Sequence, residues 1–310
     1  MAMKILFVGT PDIAVKTLNS LTEAECEVVG VLTREDAPQG RKHRLRPSPV
    51  AIRAEELGLP IIKANKWEQS TAEQVGALGA DIAAVVAYGA ILPQSALDLL
   101  PHGWVNLHFS ALPQWRGAAP VQRALMAGES TIYSSVFQIE AGLDTGPVFC
   151  QESTEVLAED TAGDILLRLA ASGGALMMKA FDAIESGNTG DAQQGEPTHA
   201  AKLSLADGKI DWTRDTERIL AQYRGVTPEP GAWCEFNDAR FKIGKLKTSD
   251  AVPQGEPGTV RLETKKLVVT CGNGTLELVA VQPAGKKMMN AADWARGLDS
   301  ALDEQKVVLR

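Results

Sequence analysis

The chain has 310 residues, 45% hydrophobic and 23% charged, a length that suggests two domains and a composition that can build ordinary globular cores. Its net charge of −8 argues at first against a nucleic-acid partner, but residues 1–207 carry −10 and residues 208–310 carry +2, so the acidity is confined to the first two-thirds. No window approaches the roughly 18 apolar residues of a membrane span, and the opening apolar run is only about five residues long, short of a signal peptide. Cys26, Cys150, Cys234 and Cys271 form no CxxC pair, which predicts reduced thiols in a cytoplasmic protein, with no membrane association and no zinc site.

In chain order, KILFVG (residues 4–9) and EVVGVLT (27–33) read as strands around an amphipathic helix, PDIAVKTLNSLTEA. GRKHRLRPSP (40–49) then gathers Arg41, Lys42, Arg44 and Arg46. Screened charges act over about 10 Å, so such a finger can grip phosphates on an acidic body; a plain solvated loop fits equally well. SPVAIRAEELG predicts a second helix, LPIIKA a short strand, TAEQVGALGA a third helix and DIAAVVAYG a fully apolar strand. This βαβαβ rhythm predicts a parallel sheet covered on both faces, with ligands beyond the carboxyl ends of its strands.

WVNLH is the next strand, leading into NLHFSALPQWRGAAP (106–120). Side chains alternate with period two, so Asn106, His108 and Ser110 share one face near that carboxyl edge. TIYSSVFQIE and GPVFCQESTEV read as two more strands joined by AGLDTG, which carries Asp144. The stretch 161–187 begins with a capping box, Thr161 to Asp164, and continues at helical spacing; its Gly173–Gly174 pair predicts a bend or a close packing contact. Residues 188–207 are polar and rich in Gly, Pro and Gln, as in a linker. Beyond them, GAWCEF, ARFKIGKLKTS and GTVRLETKKLVVTCGNGTLELVAVQP read as short strands with Gly/Asn turns, a small partly open barrel. The expected division is residues 1–187, a linker over 188–207, and residues 208–310.

Several chemistries lack their motif. FVGTPDIAV has one glycine where a dinucleotide fingerprint needs three, no phosphate loop or G-x-S-x-G is present, and His43, His102, His108 and His199 have no metal-ligand spacing. Asn106, His108 and Asp144 remain. Each alone has an ordinary reading: a hydrogen-bonded strand histidine, a strand-end asparagine, a turn aspartate. Together an amide, an imidazole and a carboxylate suit acyl transfer, with donors for a developing oxyanion and a carboxylate to relay a proton.

NLHFSALPQWRGAAP followed by EAGLDTGPVF resembles the signature of the folate-dependent formyltransferases. FVGTPDIAV, GRKHRLRPSPV, GKIDW, PEPGAW and LVAVQPAGKKMM extend the likeness along nearly the whole chain, toward the branch that acts on methionyl-tRNA. The resemblance implies an α/β chain, with a Rossmann-like parallel-sheet catalytic domain followed by a small OB-like β-barrel that binds tRNA. It implies 10-formyltetrahydrofolate as donor and the α-amine of initiator methionyl-tRNA as acceptor; no metal is expected, from the histidine spacing above. It puts catalysis on Asn106, His108 and Asp144, and folate contacts on Ser110, Ala111, Leu112 and Pro113. It makes the loop 33–47, with Arg41, Lys42, Arg44 and Arg46, a tRNA-inserting element; Lys286 and Lys287 after the last barrel strand join it as candidate phosphate contacts. Ala111 stands where the family pattern has leucine, and Phe109 where it has a small residue.

The expected chemistry has Asn106 and His108 donating to the oxyanion, with His108 an imidazolium whose pKa Asp144 lifts above about 6.5. A formyltransferase with a small amine acceptor, such as glycinamide ribonucleotide or an amino-sugar nucleotide, shares the same three residues. A tRNA-binding module with a decayed sheet domain is the reading from another class. Trp212, Trp233 and Trp294 are expected as core or domain-junction anchors and not as base-stacking platforms. Nothing in the sequence suggests an oligomer, so a monomer is expected.

Overall fold

A computed structural model describes residues 3–24, 26–39, 43–298, 302 and 307–310. The chain forms two units. Unit 1 comprises residues 1–120, 131–155 and 165–200; unit 2 comprises 121–130, 156–164 and 201–310. The polar stretch read as a linker is thus divided at residue 200, because its first part has backbone partners in unit 1 (below).

Unit 1 is built on strands β1 (Lys4–Gly9), β2 (Glu27–Thr33), β3 (Ala37–Gln39), β4 (Arg44–Arg46), β5 (Ile61–Lys63), β6 (Ile82–Val86), β7 (Trp104–His108), β8 (Arg116–Gly117), β9 (Thr131–Gln138), β10 (Val148–Glu155) and β11 (His199–Ala200). Its helices are α1 (Asp12–Glu23), α2 (Pro49–Glu56), α3 (Gln69–Ala77) and α4 (Gln94–Leu97), and most of α6 (Ala162–Glu185). Helix α5 (Pro120–Ala127), absent from the sequence reading, falls almost wholly in unit 2. The main sheet has the order β10-β9-β7-β6-β1-β2-β5. Five strands, β5 to β7, are parallel as expected, whereas β9 runs antiparallel to β7 and β10 antiparallel to β9.

Alternation along the strands sorts the core. Leu6 and Val8 of β1, Val85 of β6 and Trp104 of β7 lie in one cluster with Val75 of α3 and Leu97 of α4. On the other side of the sheet α6 approaches β7 and α1: a Cβ on Gly173 would come within 3.0 Å of Leu107, and one on Gly174 would overlap Ser20. The glycine pair therefore permits close packing, and α6 runs unbroken through it. Ser48 caps α2 by accepting the Ala51 N–H at 3.0 Å, with Pro49 in the first turn.

Unit 2 holds β12 (Ala232–Phe236), β13 (Ala239–Ser249), β14 (Val260–Glu263), β15 (Lys266–Thr270), β16 (Thr275–Gln282) and β17 (Met289–Asn290). Their order is β12-β13-β16-β15-β14, with β17 on β16. Asn237 and Asp238 both have positive φ, 50° and 55°, the geometry of a tight two-residue hairpin turn. Residues 307–310 bond to Glu235 of β12 on one side and to Val260 and Gly258 on the other, which ties the two edge strands together. Helices α7 (Thr216–Val226) and α8 (Ala291–Ala295), also missed in the sequence, bury Ile219, Tyr223, Val226 and Ala291 in the same core as Phe241, Leu246 and Leu276. Trp212 is buried in that core, and Trp294 stacks against Phe241 with centroids 4.6 Å apart.

Candidate active site

Three consecutive side chains of β7 divide between the faces of the sheet. Leu107 is buried toward Gly173 of α6. Asn106 and His108 fall on the opposite face by the period of two. Phe137 of β9 lies opposite Asn106 in the ladder and meets the His108 ring edge-on at 6.2 Å. Asn106 is half-buried, and among the described residues its side-chain amide has no hydrogen-bond partner.

His108 is 6% exposed and Asp144 15%. The His108 Nε2 lies 3.0 Å from the Trp115 carbonyl oxygen. A carbonyl can only accept, so Nε2 carries the proton and donates. The other nitrogen, Nδ1, faces Asp144 Oδ2 at 3.9 Å, beyond a direct hydrogen bond. The same Oδ2 accepts the Gly117 N–H at 2.7 Å.

Burial pushes the His108 pKa below its ordinary value of 6.5; the Asp144 carboxylate and the Trp115 carbonyl oppose that shift without overcoming it. The expectation of a raised pKa is therefore corrected. Removing an imidazolium from water outweighs a carboxylate 3.9 Å away that is already committed to a backbone donor.

The Asp144 loop starts at the opposite end of the sheet from the carboxyl edge of β7. Gln138, the last residue of β9, pairs with Val105, and Ser135 pairs with His108. The chain thus leaves β9 three residues, or about 10 Å, past the level of His108 toward the start of β7 and must fold back along the sheet. Two features accompany that return. Asp144 has φ 51°, and Gly146 passes so close to the Gln138 carbonyl that a Cβ would overlap its oxygen.

The stretch 110–113 follows β7 directly. The Ser110 hydroxyl donates to the Gln114 carbonyl at 2.6 Å, while the Ser110 carbonyl accepts from Ser135 Oγ at 2.5 Å. Gln151 Nε2 donates to Ser135 Oγ at 2.9 Å. Leu112 and Pro113 are buried and Ala111 is half-buried. Phe109 is also buried.

Arg44 and Arg46 are exposed on β4 of the β3–β4 hairpin; Arg41 and Lys42 lie outside the described residues. Lys286 and Lys287 are exposed in the turn after β16 in unit 2.

Sequence reading missed Gln193 and Thr198. Gln193 Nε2 donates to the Asp144 and Gly146 carbonyls, both at 2.8 Å, and its Oε1 accepts from Arg116 Nη2 at 2.6 Å. Thr198 Oγ1 accepts the Trp115 N–H at 2.8 Å, and β11 pairs with β8. Both residues sit in a polar run with no periodicity to distinguish them from a linker.

The family model for formyl transferase matches residues 3–181, and the model for its C-terminal domain matches residues 202–299. The chain is 49% identical to methionyl-tRNA formyltransferase of Paenarthrobacter aurescens over 297 residues, 96% of this chain and 97% of that one. Among solved structures it is similar to HypX from Aquifex aeolicus in complex with tetrahydrofolic acid, with TM-score 0.68 and 16% identity over 96% of this chain and 47% of that one. It is also similar to methionyl-tRNA formyltransferase from Clostridium thermocellum, with TM-score 0.59 and 18% identity over 80% and 95%. At those identities the two structures speak for the fold.

Proposed function

The chain belongs to the methionyl-tRNA formyltransferases of the formyl transferase family, and we propose that Asn106, His108 and Asp144 are its reacting centre. It formylates methionyl-tRNA from a folate-based donor. We assign 10-formyltetrahydrofolate as that donor and the α-amine of the initiator species as acceptor. The observation that carries the site assignment is the buried His108 facing Asp144 on the sheet face that also carries Asn106, whose amide has no hydrogen-bond partner among the described residues.

The chemistry follows from protonation. Attack of the amine on the formyl carbon builds negative charge on the formyl oxygen, and the Asn106 amide supplies a donor for it. The amine nitrogen must lose a proton. His108 is neutral in the resting site, with its hydrogen on Nε2, so the Nδ1 lone pair accepts that proton. The imidazolium so formed is stabilised by Asp144 across the 3.9 Å gap. His108 Nδ1 then returns the proton to the departing folate nitrogen, which leaves as an amine. His108 thus acts as a proton carrier, and oxyanion donation falls to Asn106.

The folate contacts are assigned to the 110–113 turn, which Ser135 and Gln151 hold in place. The tRNA contacts are assigned to Arg41, Lys42, Arg44 and Arg46 and to Lys286 and Lys287. A cytoplasmic monomer is the assigned state; its four cysteines are free.

Single-turnover transfer from 10-formyltetrahydrofolate to initiator methionyl-tRNA, elongator methionyl-tRNA and glycinamide ribonucleotide tests the assignment. Transfer is expected only to the initiator. Asn106→Ala should lower the rate by about 10²–10³ with tRNA affinity unchanged. Transfer to the small acceptor alone, or equal losses in binding and turnover, would refute it.

A further inference from the structure

The loop carrying Asp144 leaves the sheet about 10 Å past the level of His108, and something must hold it folded back. Its own residues supply little grip, since Ala141, Gly142, Leu143 and Thr145 are exposed. Within the loop, the outward-facing carbonyls of Asp144 and Gly146 converge on one group, the Gln193 amide nitrogen, at 2.8 Å each. Gln193 is half-buried in a run whose neighbours are exposed.

Its other end is equally committed. Gln193 Oε1 accepts from both Nε and Nη2 of Arg116, at 3.2 and 2.6 Å. Arg116 begins β8, and the next residue, Gly117, donates the backbone N–H that holds Asp144 Oδ2. One side chain therefore links the backbone of Asp144 to the strand that grips its carboxylate. The same segment steadies the partner. Thr198 Oγ1 accepts the Trp115 N–H, and the Trp115 carbonyl is the acceptor for His108 Nε2.

We propose that Gln193 is a positioning residue of the formyl-transfer reaction: its amide clamps the returning loop so that the Asp144 carboxylate stands at its working distance from His108. This rests on the reading of Asp144 as the partner of a proton-carrying His108. The segment 188–200 is thereby part of the active site. The anchors at its start and end are the Val148–Asp191 bridge and the β8–β11 pairing.

The charged and titratable groups near the clamp are Asp144 on the loop, Arg116 on β8, Asp191 beside Val148 and the exposed His199 on β11. Of these, Asp144 acts on His108, drawing its pKa upward against burial. Releasing the loop weakens that pull, so the His108 titration moves to lower pH.

Two full-chain variants separate the two ends of the amide. Gln193→Met keeps the length and removes every hydrogen bond. Gln193→Glu keeps an acceptor for Arg116 and removes the donors to the Asp144 and Gly146 carbonyls. The expected result for both is a fall in kcat of roughly 10²-fold, the order produced by a misplacement of about 1 Å, with KM for both substrates unchanged. In Gln193→Met, the imidazole NMR titration of His108 in the substrate-free protein, and the acid limb of kcat, should both move to lower pH. An unmoved imidazole titration in folded Gln193→Met would overturn the proposal. So would wild-type kcat in Gln193→Glu, which would put the role on Arg116 alone. The NMR titration needs no substrate, so it tests the clamp even if the acceptor assignment fails.

Discussion

Gly146→Ala gives the sharpest test of how the Asp144 loop is held. A Cβ at this position would overlap the Gln138 carbonyl oxygen, and would stand 2.9 Å from its carbon and 3.2 Å from Glu140 Cγ. The first two obstacles are backbone. Gln138 is the last residue of β9, pairs with Val105, and takes a further bond from its N–H to the Pro147 carbonyl at 2.9 Å. The strand cannot rotate out of the way as a side chain would, so the loop must retreat, by on the order of 1 Å to restore ordinary contact. Overpacking of this kind costs about 1–3 kcal/mol. At about 2 kcal/mol, a unit of this size loses roughly 4–8 °C in Tm.

The same retreat draws Asp144, two residues earlier, away from the Gly117 N–H and from His108, and a misplacement of about 1 Å costs roughly 10² in rate. Gly76→Ala is the matched control. It lies inside α3 with nothing within 4 Å of its added Cβ, so it should stabilise by up to about 1 kcal/mol and leave kcat alone. The assay is single-turnover formyl transfer beside thermal unfolding for both variants. If Gly146→Ala loses stability as expected yet transfers at the wild-type rate, the loop can give without moving Asp144, and the claim that its path sets the catalytic geometry fails.

Other consequences are open to direct measurement. Because the folded His108 pKa lies below its unfolded value of about 6.5, stability attributable to it is fully present above that pH and is lost as pH falls toward the folded value. His108→Gln should flatten this part of the Tm-against-pH curve, and an unchanged slope would deny His108 the role. Gly174→Ala, whose Cβ would overlap Ser20 of α1, should destabilise by about 1–3 kcal/mol even after the helix-propensity gain, read by denaturant midpoint. Arg44→Gln and Arg46→Gln, on the exposed strand β4, should each weaken tRNA binding and reduce its salt slope by about one; a slope that stays put would release that residue from phosphate contact.

The sequence displayed the sheet more fully than the site. Apolar runs such as ILFV and IAAVV are buried on both faces in the parallel sheet and have few other readings. The Asn106–His108 alternation reported a shared face because β7 is regular there. What stayed hidden depends on contacts between residues far apart in the chain. The antiparallel sense of β9 decides from which end the Asp144 loop arrives, and a strand looks the same read in either direction. Gln193 is 49 residues from Asp144, in a run where glutamine, glycine and proline resemble any linker. Helix α7 was obscured because TERILAQYRGV carries polar residues through most of its length, and its buried side includes the small Ala221 and Gly225 beside Ile219, Tyr223 and Val226. The His108 pKa direction was misjudged because a sequence shows the carboxylate partner but not the depth of burial.

That direction decides between two mechanisms with opposite signs. An imidazolium donating to the oxyanion is lost as pH rises, so kcat would fall on an alkaline limb at the His108 pKa. A neutral His108 accepting a proton at Nδ1 is lost as pH falls, so kcat would rise from acid through that pKa and level off above it. The acceptor amine must also be unprotonated, and an α-amino group titrates near 7.7–8.0 in model compounds, so an acid limb alone does not identify its owner. Asp144→Asn does. It removes the charge that pulls the His108 pKa upward, while an uncharged carboxamide oxygen still accepts the Gly117 N–H. A limb owned by His108 moves to lower pH in this variant, with a reduced plateau because the imidazolium has lost its partner. A limb owned by the amine stays where it was. If kcat instead falls with rising pH, and falls earlier in Asp144→Asn, His108 works as the charged donor and the proton-carrier reading is wrong.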